Sequence, residues 1–149
     1  MKYLISIFVT FLAILYSFLL IEGSRAFVVF FNAPSLIIAV FFPIIFVSII
    51  NGITNTRMAF WIKRNKSASK EIFMKANFII KMYCKILWLS SAMAVIIGTI
   101  NFCANAEGIH EIGLNLAFAL NSILYAIILT TIIIVPNTIY IEEKIRIME

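Results

Sequence analysis

Of the chain's 149 residues, 63% are hydrophobic and only 13% are charged, too little polar surface to enclose a soluble core of that size. The mean hydropathy of +1.07 excludes an ordinary soluble domain and leaves no room within these residues for a separate catalytic one. The net charge of +5 does not point to nucleic acid, because the basic residues gather in one connection instead of spreading over a soluble surface. The expected class is an all-α integral membrane protein.

The first apolar segment runs from about Tyr3 to Ile21, behind Lys2. It also suits a secretory signal, with Ser24 and Ala26 as the cleavage pair. The run exceeds a signal core and Arg25 sits inside the would-be site, so a retained membrane helix is expected. Glu22, Gly23, Ser24 and Arg25 form a polar break, after which Phe27, Phe30 and Phe31 suit the interface. Pro34 fits the first turn of a second helix, where its missing N–H costs nothing. The second span is expected from about Ser35 to Ile53, with Pro43 at its middle.

Between Asn55 and Lys85 the chain carries Arg57, Lys63, Arg64, Lys66, Lys70, Lys75, Lys81 and Lys85 against the single acid Glu71. By the positive-inside rule this connection is cytoplasmic, as are Lys2, Lys144 and Arg146. Four transmembrane helices with both termini cytoplasmic follow. The expected layout is a first hairpin over 1–54, a short basic connection over 55–85, and a second hairpin with a short tail over 86–149. Ser67 or Ser69 can cap a helix that opens at Glu71 and runs unbroken into the third span. On it, Phe73, Ile80 and Cys84 would face one way while the lysines reach anionic headgroups. A docking surface for a soluble partner is the alternative.

The third span is expected from about Ile86 to Cys103, with Trp88 anchoring its inner end and Thr99 and Asn101 as its polar residues. Cys84 and Cys103 lie on one helix about 28 Å apart at 1.5 Å per residue and cannot pair. Residues 105–113 read as an outer loop holding Glu107, Glu111 and the only histidine, His110. That trio could sense pH or bind a metal weakly, but a metal site needs more ligands, which favours a solvated loop.

The fourth span, Leu116 to Lys144, is an apolar run with Asn121, Ser122, Tyr125, Thr130 and Thr131 as its polar members and Pro136 near its end. Uncharged polar groups in hydrocarbon favour a protein-covered or wet face. Pro136 is either a kink or hinge, or a proline that a membrane helix tolerates. No Asp, Glu, Lys or Arg lies in the central part of any span, so the chain has no carboxylate of its own to carry a proton through the bilayer. No constellation of nucleophile, base and carboxylate and no Gly-rich phosphate loop is present, so an enzyme is not expected.

Three stretches, in order along the chain, resemble the MotA, TolQ and ExbB proton-channel family. Pro34-Ser35-Leu36-Ile37-Ile38 is similar to the opening of the second MotA helix, and Gly98-Thr99-Ile100 to a Gly-Thr element of the third. Ala117, Ala119, Leu120, Leu124, Tyr125 and Pro136 resemble the last membrane helix. The resemblance implies a ring, expected as a pentamer, in the bacterial inner membrane. The ring would surround a single-span MotB-, TolR- or ExbD-like partner that supplies a membrane aspartate. Thr99 is then expected to line a path for H+ or Na+, with no other cofactor. Opposite it the family has a small hydroxyl residue; here Ile123 holds that place, with Ser122 beside it. Helical spacing from Ile123 adds Ala119, Ala126 or Ile127, and Thr130 to the same wall, which is small and mostly apolar. Gly98, Tyr125 and Pro34 are the packing positions of the motif. The family often has a glycine pair where this chain has Phe41 and Phe42, and many members have a third-helix proline that is lacking here. MotA proteins also carry a large cytoplasmic domain in the basic connection. Two readings stay open: a ring subunit of an ion-driven motor, which the ordered Gly98-Thr99, Leu124-Tyr125 and Pro136 matches favour, and a non-conducting membrane scaffold, which Ile123 and the short connection favour.

Overall fold

The computed structural model describes residues 32–64, 68–104 and 109–148, together with Leu12 and Tyr16. Every regular element among them is helical, and three helices are long and apolar enough to cross a membrane: Ala33–Asn51, Lys70–Ala104 and Leu116–Ile147. Apart from Leu12 and Tyr16, the expected first span and the interfacial Phe27, Phe30 and Phe31 lie outside the described residues, as does Ser67.

Helix α1 (Ala33–Asn51) starts where the sequence supplies both a cap and a proline. The Asn32 side chain accepts from the Ser35 backbone N–H at 3.2 Å, and Pro34 occupies the first turn. Its middle, Ile37–Phe41, is a π-turn in which the Phe42 N–H reaches back to the Ile37 carbonyl. Pro43, which follows at once, can neither donate a backbone bond nor fit its ring into a normal α-turn, and the wider turn makes the room. Ser35, Ala39, Pro43 and Val47, four residues apart, form the buried stripe, while Phe41, Phe42 and Phe46 face outward. α1 ends two residues before the expected Ile53, because Gly52 adopts φ +83, a conformation open to glycine.

The chain then turns into a short helix α2 (Ile53–Phe60) and a 3-10 turn (Ile62–Arg64). Helix α3 (Lys70–Ala104) is one unbroken 35-residue rod that opens beside Ser69 and places Glu71 in its first turn, as the sequence implies. At 1.5 Å per residue it is about 50 Å long. A hydrocarbon core of about 30 Å leaves its lysine-bearing first turns outside. Phe73 and Ile80 are buried and Cys84 half-buried on one side, with Lys75, Lys81 and Lys85 exposed.

Helix α4 is continuous in three parts: Ile109–Leu129, a second π-turn Thr130–Ile134, and Val135–Ile147. Its start corrects the expected outer loop over 105–113 at residues 109–113, which are helical, while 105–108 lie outside the described residues. His110 and Glu111 lie in the first helical turn, and Gly113 does not interrupt the helix. One glycine costs only about 1 kcal/mol against alanine, too little to end a 21-residue helix. Glu107 lies outside the described residues.

The large side chains pack together at the basic end. Val47, Ile62, Phe73, Ile80, Tyr83, Leu87 and Ile141 are all buried, and Phe60 meets Tyr83 edge-on with ring centroids 5.0 Å apart. Across the same end, Lys81 Nζ reaches Glu142 Oε1 at 2.8 Å and ties α3 to α4.

Candidate functional site

In a bilayer, apolar helices gain little by hiding from lipid, so their association depends on close fit and on interhelical hydrogen bonds. The α3–α4 pair has both. Ser90, Ser91, Ala94 and Gly98 make a buried stripe of small residues on α3, and Ala119, Ser122 and Ala126 make one on α4. Ser91 Oγ donates to the Ser122 carbonyl at 3.1 Å, and Ser122 Oγ donates to the Phe118 carbonyl one turn back at 2.9 Å. Ser35 Oγ lies 3.0 Å from that same Phe118 carbonyl and fastens the start of α1 to α4. Tyr125 is buried and bonds toward the backbone at Asn32, closing that corner.

The six residues expected to line a path are therefore divided. Ala119, Ser122 and Ala126 are buried between helices of the same chain. Thr99 is on the outside of α3, its hydroxyl donating to the Val95 carbonyl at 2.8 Å. Ile123 and Thr130 are half-buried. Thr130 Oγ1 is enclosed with no oxygen or nitrogen partner and lies beside the Cys84 thiol. Of the motif residues, Gly98 is buried in the small-residue stripe and Pro34 is exposed at the start of α1. Pro136 follows the second π-turn and is half-buried, so the bond it lacks is absorbed by a local widening within a helix that continues.

Sequence reasoning missed Ser91 and Ser35, whose hydroxyls join helices, because a serine in an apolar run carries no mark of its partner. It also missed the π-turn ahead of Pro43.

The outward surface of α3 beyond Trp88 includes Leu89, Met93, Ile96, Thr99, Ile100 and the amide-bearing Asn101. That of α4 is Leu116, Leu120, Ile127, Thr131 and Val135. Neither stretch, from Leu89 to Ala104 or from Leu116 to Val135, carries a charge. At the basic end, Lys63 and Lys144 lie over the Tyr140 ring at 5.9 and 6.0 Å from its centroid, and partial burial holds the Lys63 ammonium below its ordinary pKa. Cys84 and Cys103 are free thiols, and no cluster that could hold a metal occurs among the described residues.

No protein-family model matches the chain, and no curated protein or solved structure does.

Proposed function

We propose that the chain is a ring subunit of an ion-driven membrane motor or channel of the MotA, TolQ and ExbB kind. Several copies, expected as a pentamer, surround the single-span helix of a MotB-, TolR- or ExbD-like partner in a bacterial inner membrane, with both termini cytoplasmic. The reading rests on one observation: the exposed residues of α3 from Leu89 to Ala104 and of α4 from Leu116 to Val135 carry no charge, and Thr99 is the hydroxyl that α3 presents there. A bundle with no internal charge cannot relay a proton by itself, whereas a ring of such faces can enclose a helix that brings its own carboxylate. Thr99 then lines the space between copies, with its hydroxyl donating to the Val95 carbonyl and its oxygen lone pairs open to an ion or water.

The burial of Ala119, Ser122 and Ala126 supports the second reading, a non-conducting scaffold. With those small residues used inside the chain, α4 offers the lumen Ile123, Ile127 and Leu120, a wall suited to gripping a helix more than to wetting a path.

Ion flux separates the two. When the chain is co-expressed with a single-span partner bearing a membrane aspartate, the motor reading expects a leak that Thr99→Val reduces. Flux that is unchanged by Thr99→Val removes that residue from the path. A stable complex with no flux at all leaves the scaffold.

A further inference from the structure

A second feature of the molecule is independent of any partner. On the basic side, α1, α2 and α4 part to leave a cleft of about 600 Å³. Val40 and Ile44 of α1 form one wall, Leu129 and Ile133 of α4 the other, and Tyr83 of α3 the floor. Val40 and Ile133 belong to the two π-turns, so both prolines sit next to the walls they widen. From Val40 to Ser48 the wall runs about 12 Å along the α1 axis, close to the roughly 15 Å depth of one hydrocarbon leaflet.

The mouth differs chemically from the walls. Arg57 and Trp61 line it at the basic end, and no acid lines the cleft among the described residues. The Arg57 side chain is exposed and has no ion pair among the described residues. Gly52, by breaking the helix, turns α2 so that this guanidinium stands at the end of the apolar slot. Two further grooves at this end are less distinctive: the one between α3 and α4 has one of its two lysines, Lys81, already engaged by Glu142, and the one beside Tyr140 has the acid Glu143 in its lining.

We propose that the cleft is a binding site for an anionic phospholipid, with one acyl chain between α1 and α4, the phosphate on Arg57 and the Trp61 indole at the level of the glycerol. The guanidinium fork matches phosphate oxygens in pairs, which an ammonium does not. An indole with one apolar and one polar edge is at home at that depth. A second copy of the chain would have to bring an acid to Arg57 and a narrow apolar ridge into the slot together, and a lipid has both in one molecule.

The test uses the purified full chain in phosphatidylcholine bilayers, on a Trp88→Phe background that leaves Trp61 as the sole tryptophan. Phosphatidylglycerol or phosphatidylcholine brominated high on the acyl chain is titrated in. The brominated phosphatidylglycerol is expected to quench Trp61 at about fivefold lower mole fraction, the effect of one basic residue on an anionic headgroup. Arg57→Gln removes that preference. Arg64→Gln, at a cation stacked 5.7 Å from the same indole but outside the cleft, keeps it. Ser48→Phe, which fills the slot without changing charge, removes it as well. Equal quenching by both lipids overturns the proposal, as does an Arg64→Gln loss equal to that of Arg57→Gln, which would reduce the site to the general basic rim. Absence of quenching by either lipid also overturns it, because the cleft then takes no lipid.

Discussion

Ser91 and Thr130 are two hydroxyls in the same helix pair with opposite prospects. Ser91 has found a carbonyl across the interface, and an interhelical hydrogen bond in a membrane protein averages about 0.6 kcal/mol. Ser91→Ala should therefore destabilise the chain by about that much, measured by denaturant titration of helical circular dichroism in detergent. Ser91→Leu, which forces the stripe apart, should cost about 1–3 kcal/mol. Thr130 Oγ1 is enclosed with only the weakly bonding Cys84 thiol beside it, and a buried group short of its hydrogen bonds carries a penalty of up to about 1–3 kcal/mol. Thr130→Val keeps the shape and removes that penalty, so it should leave stability unchanged or raise it by about 1 kcal/mol in the same titration. A clear loss would mean that the hydroxyl has a strong partner. The Lys81–Glu142 pair has both side chains about half exposed, and its coupling in a double-mutant cycle should be only about 0.2–1 kcal/mol and fall with salt.

At the scale of elements, the two π-turns and the Gly52 break decide how the rods are aimed. The conformation at Gly52 is one that other residues adopt at a cost of about 1–3 kcal/mol, and a Cβ there would meet only the Asn55 amide at 3.8 Å. Gly52→Ala is thus a test of backbone alone. It should lower stability by about that amount, or let α1 run on into α2 and carry Arg57 away from the cleft, visible as lost preference for the anionic lipid. The sequence announced α3 well: the lysines lie on one side, Phe73 and Ile80 on the other, and the helix opens beside Ser69. The start of α4 was harder to read, because His110, Glu111 and Gly113 have the composition of a loop, yet the helix already runs through them. The π-turns were not legible either. A proline states that a hydrogen bond is missing, and whether the helix kinks or widens depends on neighbours distant in sequence.

For the whole molecule, composition sufficed for the class, since an apolar chain with one basic connection has few alternatives to a bundle of membrane helices. The site was only half visible. Ala119, Ser122 and Ala126 were legible as a small-residue face, but a face that packs within a chain and a face that lines a space between chains have the same composition, and only the position of α3 distinguishes them. Arg57 was read as part of the topology signal because its role at the cleft depends on the turn at Gly52. The exposed residues of α3 beyond Trp88 and of α4 from Leu116 to Val135 are uncharged, and we assign them to contacts with copies of the chain around a foreign acidic helix. Native mass spectrometry of the tagged protein extracted from its own membranes tests that assignment most directly. The account predicts a closed ring of several copies holding a single-span protein with a carboxylate in its membrane segment; a stable monomer with no such companion would contradict it.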